Sequence, residues 1–430
     1  MSIVLLPGDV LIWAVVSVVA VLVRYKRRDV YFRRLWFRVF QARSAMVSAV
    51  ILAAFFVTAL MDSLHFRIGS NGEVLSVLDV LLSHLREAQE RTYSAPFALH
   101  EYTRSLVFVD AKALQRFLPL HHVDGCCFWL KSVAALAAGW LAARGFSALL
   151  ERLLPLEGLP WKSARRTLYA LFMFGGWLYV MSFSYHVFGT DKVGGDVFYA
   201  TLKSIRTGVL IGTLSTLVTL PLALLLGMAA GYYRGWVDDA VQYLYTTLSS
   251  VPGVLLIAAG VLSMDMMMQT HPHMFTSNVQ RADMRLVFLI MILGVTSWTG
   301  LCRMVRAETL KISHQEYVAA AKIFGVKGWR MMRRHILPNL THIVLISVVL
   351  DFSSLVLAEA VLSYVGVGVD PTMYSWGNMI NQARLEMARE PMVWWSLFAA
   401  FLFMFVLVLA ANIFADRIQY VLDPRNEGAA

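Results

Sequence analysis

Charge is scarce in this chain. Asp, Glu, Lys and Arg make up 15% of its 430 residues, 58% are hydrophobic, and the mean hydropathy is +0.61. Soluble globular domains carry about a quarter charged residues, so that class is excluded and a polytopic membrane protein is implied. Cysteine is nearly absent: Cys126, Cys127 and Cys302 make no disulfide framework, and the adjacent pair cannot readily bridge itself. No Gly-x-x-x-x-Gly-Lys-Ser/Thr phosphate loop occurs, so any ATP-driven work has to draw on another chain. No Ser/His/Asp or paired-carboxylate spacing compels a catalytic reading. The net charge of +10 does not point to nucleic acid, because the basic residues gather in short segments beside apolar spans, where they act as topology determinants.

What is present is a series of apolar spans, nine in number: Val10 to Val23, Ser44 to Met61, Gly125 to Ala143, Leu168 to Phe188, Thr207 to Tyr233, Ala240 to Met264, Leu286 to Cys302, Leu340 to about Val365, and Pro391 to Ala415. The first has only 14 residues, against the ~20 that a bilayer helix needs. Its basic cluster, Arg24, Lys26, Arg27, Arg28, Arg33, Arg34, Arg38 and Arg43, follows the apolar run. That order argues against a cleaved signal peptide and for an anchor with its N-terminus outside. Lys131 would have to snorkel from its span to the outer interface. Between Asp62 and Asp124 the chain is polar and mixed in sign, too long for a simple connection, and reads as a small accessory structure.

One stretch interrupts the hydrophobicity, Glu316 to Asn339, reading Glu-Tyr-Val-Ala-Ala-Ala-Lys-Ile-Phe-Gly-Val-Lys-Gly-Trp-Arg-Met-Met-Arg-Arg-His-Ile-Leu-Pro-Asn. Glu316 to Lys322 holds strong helix formers, and Gly325 stands where a turn falls. From Trp329 to Arg334, the apolar anchors Trp329, Met331 and Met332 sit among Arg330, Arg333 and Arg334, a composition suited to docking in a groove. Pro338 suits the first turn of the helix that follows. Two acids then lie within a span, Asp351 and Glu359, within about 80° of each other around a helix axis. A carboxylate at such depth faces protein or water.

The 24 residues from Glu316 to Asn339 resemble the cytoplasmic coupling loop of ATP-binding-cassette importer permeases, most closely the C-type permeases of dipeptide and oligopeptide uptake: Glu-Tyr-Val-x-Ala-Ala-x-x-x-Gly, nine residues, then His-Ile-Leu-Pro-Asn. The resemblance extends from Gly189 to the end. Gly189 to Phe198 is similar to the family's outer Gly-Thr-Asp-x-x-Gly-Arg-Asp signature, with Asp191 and Asp196 retained and Gly195 in place of the arginine. Gly231 to Asp238 resembles the family's short cytoplasmic turn, Leu-Ala-Glu-Ala-Val-Leu-Ser-Tyr-Val-Gly-Val-Gly its Glu-Ala-x-Leu-Ser-Phe-Leu-Gly-Leu-Gly, Pro-Thr-Met-Tyr-Ser-Trp-Gly-Asn-Met its Pro-x-Pro-Ser-Trp-Gly-x-Met, and Leu422 to Arg425 its ending.

The resemblance implies an all-α polytopic membrane protein, with a type I ABC importer permease core of six helices plus about three additional N-terminal or inserted helices. The expected parts are an N-terminal anchor and basic cytoplasmic segment, 1–43; the first core span, 44–61; an accessory segment with two extra spans, 62–188; and the permease core, 189–430, with its coupling loop at 306–339. Coupling to an ATPase falls to Glu316, Ala320, Ala321, Gly325, Trp329, Arg330, Arg333, His335 and Pro338. The outer gate or translocation path falls to Glu359, Ser363, Trp376 and Gly377. Glu359 also reads as a helix-to-helix polar contact, the reading preferred for Asp351, and Trp376 as an interfacial aromatic. No cofactor is expected in the chain itself, ATP and Mg²⁺ being bound by partner ATPase subunits, and no catalytic residue. The implied partners are a homologous permease in a heterodimer, two ABC ATPase subunits, an extracytoplasmic solute-binding protein and membrane lipid, and the implied location is the bacterial inner membrane. Short peptides are the implied substrate. The alternatives are nickel or metal-chelate import, and a membrane scaffold or enzyme. Met264 to Met274 contains Met266, Met267, Met268, His271 and His273, candidates for a soft metal or a flexible partner surface, and His121, His122, Asp124, Cys126 and Cys127 raise the same metal reading, though no second ligand pair is spaced as a structural zinc site demands.

Overall fold

Apolar runs long enough to satisfy their own backbone become helices, since lipid offers no hydrogen bonds. The structure, a computed structural model, describes residues 2–4, 6–26, 29–67, 74–109, 112–123, 127–153, 159–271 and 278–422. In chain order the elements are β1 (Ser2–Val4), α1 (Pro7–Lys26), α2 (Val30–Gln41), α3 (Arg43–Asp62), β2 (His65–Arg67), β3 (Val74–Ser76), α4 (Val77–Leu81), α5 (Ser83–Glu87), β4 (Ser105–Val109) and β5 (Lys112–Arg116). They continue with α6 (Phe128–Leu153), α7 (Trp161–Met181), α8 (Val197–Tyr233), α9 (Trp236–Ser250), α10 (Gly253–Thr270), α11 (Asn278–Ser313), α12 (Glu316–Ile323) and α13 (Gly328–Met331). A wider π-helical turn, Met332–Ile336, leads into α14 (Leu337–Val365), followed by α15 (Trp376–Glu386) and α16 (Trp395–Leu422). The described residues of 1–5, 26–209 and 371–410 form one compact unit, and those of 6–25, 210–370 and 411–430 a second.

In the first unit the accessory structure is a small mixed module. Strands β1, β2 and β3 pair antiparallel in that order, and β4 and β5 form a separate hairpin. A capping box opens α4: the Ser76 hydroxyl accepts from the Asp79 amide at 3.1 Å, and the Asp79 carboxylate accepts from the Ser76 amide at 2.9 Å. Lys203, early in α8, bridges Asp62 at the end of α3 (2.7 Å) and Asp79 (2.8 Å), while the Tyr199 hydroxyl donates to Asp79 at 2.7 Å. The Gly189 to Phe198 signature seals the module against the start of α8. Thr190 Oγ1 accepts from the Ser94 amide at 2.6 Å, and Asp191 Oδ1 accepts from the amides of Val193 and Gly195 at 2.8 and 2.9 Å. Gly194 has φ +77 and lies so close to the Glu90 carbonyl that a Cβ would fall 1.8 Å from it, so only glycine fits.

Eight of the described helices are long and apolar enough to cross a membrane: α1, α3, α6, α8, α10, α11, the run from α13 through α14, and α16. The ninth expected span, Leu168 to Phe188, is α7, which begins seven residues earlier and carries Lys162, Arg165 and Arg166 in its first turns. Geometry supplies what apolarity does not. Helices α6 and α7 pack as an antiparallel pair, Lys131 near the start of α6 donates to Ser184 just past the end of α7 at 2.7 Å, and His84 of α5 reaches Ser182 at 2.8 Å. Since α6 starts and α7 ends at the module, α7 must return across whatever α6 crosses.

The first span proves to be a helix of 20 residues, not 14, because Asp9 is drawn in and buried at one end and Arg24 to Lys26 continue it at the other. The expected span Ala240 to Met264 is broken: Pro252 ends α9 by holding Val251 in extended backbone, and α10 alone is the crossing. Met264 to Thr270, read as loop, are the last turns of α10.

In the second unit α8 crosses α11 closely. Gly227 and Gly231, one turn apart, lie against the Cys302 carbonyl, Val305, the Arg306 carbonyl and Thr309, where any Cβ would come within 2.9 Å of its neighbours. Ser215 donates to the Ile290 carbonyl at 3.2 Å and Thr219 to that of Gly294 at 3.1 Å, which adds two polar contacts along the same pair of helices.

Candidate functional site

The segment from Gln315 to Asn339 is a helix-turn-helix that stands on a buried base. Helix α12 opens at Gln315 and closes at Gly325 in a Schellman turn, with the Val326 amide donating to the Ala321 carbonyl at 3.2 Å and the Gly325 amide to that of Lys322 at 3.1 Å. Gly325 adopts φ +75, and a Cβ there would meet nothing within 4 Å. Gly328 rests on the Tyr233 hydroxyl, which ties α13 to the end of α8. Pro338 lies in the first turn of α14, and Asn339 donates to the Tyr317 hydroxyl at 2.9 Å and to the His335 carbonyl at 2.7 Å.

The division of apolar side chains differs from the sequence expectation. Met331 and Met332 are not docking anchors. They are buried with Val318, Ile312, Ile336, Trp298, Leu301 and Val305 in the core that roots the segment. The apolar surface is offered instead by Ile323 and Phe324, each 85% exposed, with Trp329 at 56%. Sequence reasoning passed over Ile323 and Phe324. Their signal was an Ile-Phe pair just before a turn glycine, at the last turn of a helix whose inward contact, Val318, lies on another face. Of the expected coupling residues, Glu316, Ala320, Gly325, Trp329, Arg330, Arg333 and Pro338 are exposed, and Ala321 and His335 are half-buried.

A charged brace stands beside it. Arg306 of α11 makes a two-pronged contact with Asp238 in the first turn of α9, at 2.5 and 2.7 Å, and its guanidinium holds the Asp238 carboxyl below the usual carboxylate range. Arg234, in left-handed backbone at φ 55, reaches Ser313 Oγ at 3.0 Å and His314 Nε2 at 2.7 Å. The turn Gly231 to Asp238 and the end of α11 are thereby fixed together, directly beneath α12 and α13.

Glu359 and Ser363 are brought together one turn apart on α14. Ser363 donates to Glu359 Oε1 at 2.7 Å and accepts from the Val369 amide at 3.3 Å, so the buried pair secures the bend after α14 at Gly366 and Gly368. Asp351 differs: its Oδ2 is buried with no hydrogen-bond partner among the described residues. Trp376 and Gly377 belong to the other unit and are buried there. The indole donates to the Thr201 carbonyl at 3.2 Å, stacks edge-on to Phe55 and covers Gly208, which leaves no ring face for a headgroup belt. Met266 and Met267 are exposed on α10, whereas Met268 is turned inward and buried, as successive helical positions must diverge by about 100°. His271 Nδ1 lies 3.0 Å from Thr270 Oγ1. His273, Asp124, Cys126 and the Asp423 to Arg425 part of the family ending lie outside the described residues. Among the described residues no group of three or more His, Cys, Asp or Glu side chains is arranged to hold a metal.

Comparison with known proteins bears on this arrangement. Residues 223–428 match the family described as binding-protein-dependent transport system inner membrane component. The dipeptide transport system permease protein DppC of Bacillus subtilis is 31% identical over 240 residues, 56% of this chain and 69% of the relative. The glutathione transport system permease protein GsiD of Pectobacterium atrosepticum is 31% identical over 242 residues, covering 56% and 73%. The oligopeptide transport system permease protein OppC of Haemophilus influenzae is 30% identical over 243 residues, covering 56% and 71%.

Proposed function

Because this chain belongs to the family of binding-protein-dependent transport system inner membrane components, as a multi-pass permease, we propose that it is one permease subunit of an ATP-driven importer of short peptides. In this reading it pairs with a homologous permease, two ATPase subunits bind ATP and Mg²⁺ and dock at the coupling segment, and an extracytoplasmic binding protein delivers substrate. Peptides are favoured because the similar proteins carry dipeptide, oligopeptide and glutathione names.

The observation that carries the coupling role is the combination of a projecting apolar tip and a rigid root. Ile323, Phe324 and Trp329 leave about half or more of their surface in solvent on a soluble loop, where such side chains have no reason to be unless something covers them. The root, Met331, Met332 and Ile336 buried against α11 and α14, links movement of the tip to helices that cross the membrane. Glu359, Ser363, Trp376 and Gly377 act in this reading as the path-side and outer-end supports of the two units.

Gly325→Val tests it. The substitution strains one turn, at about 1–3 kcal/mol, at a position where a Cβ meets nothing within 4 Å. The expected result is a membrane-inserted complex of normal subunit stoichiometry whose substrate-stimulated ATP hydrolysis and liposome uptake fall together. Uptake at the wild-type level would refute the coupling assignment, and failure to insert would make the turn a folding element. Mass spectrometry of the ligand carried by the co-purified binding protein tests the substrate class separately.

A further inference from the structure

Helix α2 is the most strongly amphipathic of the longer described helices, and the permease reading gives it no task. It follows α1, a span that ends at Lys26, and precedes α3, a span that opens at Arg43. Both its ends are therefore held at one membrane face, with Ala42 the single residue between α2 and α3. Its 12 residues, about 18 Å of helix, must lie along that face.

The side chains are sorted to match. At 100° per residue, Leu35, Val39, Phe32, Trp36 and Phe40 fall within about 140° of arc, and Arg33, Arg34 and Arg38 occupy an arc of about the same width opposite, with Val30 and Phe37 exposed among them. Val39 is fully buried and α2 packs on α3, while Phe32, Trp36 and Phe40 run as a ladder with ring centroids 5.9 Å apart. Arg33, Arg34, Arg38 and Arg43 are exposed. Residues 24–43 hold eight basic residues and one acid, so the local field is strongly positive.

A topology determinant needs only positive charge near the end of a span; it needs neither a helix nor an aromatic face set against the charges. A basic amphipathic helix with aromatic residues on its apolar side is the arrangement that beds in the headgroup layer of an anionic leaflet. We propose that α2 is an interfacial helix whose Arg33, Arg34 and Arg38, together with Arg43, bind the phosphates of anionic phospholipids in the leaflet where α1 ends and α3 begins. The Phe32, Trp36 and Phe40 ladder sets the depth of the helix, and the arginines extend from it to the phosphate plane.

The test uses the full chain in its complex, in nanodiscs of phosphatidylcholine and phosphatidylglycerol, with native mass spectrometry counting the lipids each chain retains. Wild type should retain phosphatidylglycerol over phosphatidylcholine, and less of it as salt rises. Arg33→Gln, Arg34→Gln and Arg38→Gln should each lower phosphatidylglycerol retention by about five-fold, the equivalent of about 1 kcal/mol per charge. The corresponding lysine variants should stay within about two-fold of wild type. Salt-insensitive retention in wild type needs no variant to overturn the proposal. So would glutamine variants that retain lipid normally, or a lysine variant that loses as much as its glutamine counterpart. Loss of a protein subunit with lipid retained would show α2 to be a protein interface, which also overturns it.

Discussion

His186 is a fully buried imidazole set between two carboxylates: Nδ1 donates to Asp196 Oδ2 at 2.7 Å, and Nε2 lies 3.6 Å from Glu90 Oε1. Glu90 is itself held by the amides of His121 and His122, at 3.1 and 2.9 Å, and the His122 ring stacks obliquely at 5.4 Å. Burial pulls the His186 pKa down, but the hydrogen bond to Asp196 and the charges of Asp196 and Glu90 outweigh it, and the net shift is upward. A base whose folded pKa is raised stabilises the fold fully below its unfolded value, about 6.5, and loses that contribution as pH rises through the folded value. His84, whose pKa is lowered by burial and by His122, works in the opposite sense, so the two must be separated by substitution. The expected outcome is that the thermal midpoint of the purified protein, compared between pH 6 and 8, falls more with rising pH in wild type than in His186→Gln. An equal or larger fall in the variant would show that His186 is neutral in the folded protein. Nothing in the spacing of Glu90, His186 and Asp196 made this cluster legible, because Glu90 reaches the other two only through the fold of the accessory module.

At the scale of elements, membrane helices associate through close backbone approach, and Gly227 and Gly231 show where that approach is tightest. A methyl at Gly231 would lie 2.7 Å from Thr309 Cβ and 2.8 Å from the Arg306 carbonyl, whereas one at Gly300 of α11 would meet nothing within 4 Å. Gly231→Ala should therefore destabilise by about 1–3 kcal/mol through overpacking. Gly300→Ala should be neutral or stabilise by about 0.5–1 kcal/mol, since it only removes backbone freedom inside a helix. Chemical denaturation in detergent distinguishes them, and equal effects would mean that the two helices do not cross at Gly231. Elements of this kind were partly legible. The long apolar spans were, because lipid demands helices whatever the tertiary context, and so was the turn at Gly325, because glycine, alanine run and proline all agree there. The break at Pro252 was missed because the apolar run continues through it, and the burial of Met331 and Met332 because a basic loop gives no sign of which methionines face inward.

At the scale of the whole molecule, crossing number depends on α7, the one helix among those described that geometry and composition assign differently. Arg165 and Arg166 dilute its apolarity, yet its end is fixed to the accessory module through Ser182 and His84, and the start of α6 is tied to that same end by Lys131 and Ser184. An antiparallel pair sharing one end must share the other, so the connection between α6 and α7 belongs on the side reached by the basic segment after α1. Positive charge agrees, with Arg152, Lys162, Arg165 and Arg166 all gathered at that connection. In a background with Cys126, Cys127 and Cys302 replaced by serine, single cysteines at Arg91 and Val193, both exposed, should react with an impermeant thiol reagent applied to intact cells. Cysteines at Gln41, Lys162 and Lys322, also exposed, should react only after the membrane is opened. Labelling of Lys162 from the same side as Arg91 would reduce α6 and α7 to a hairpin that does not cross, and labelling of Lys322 from that side would place the proposed coupling segment where no ATPase could reach it.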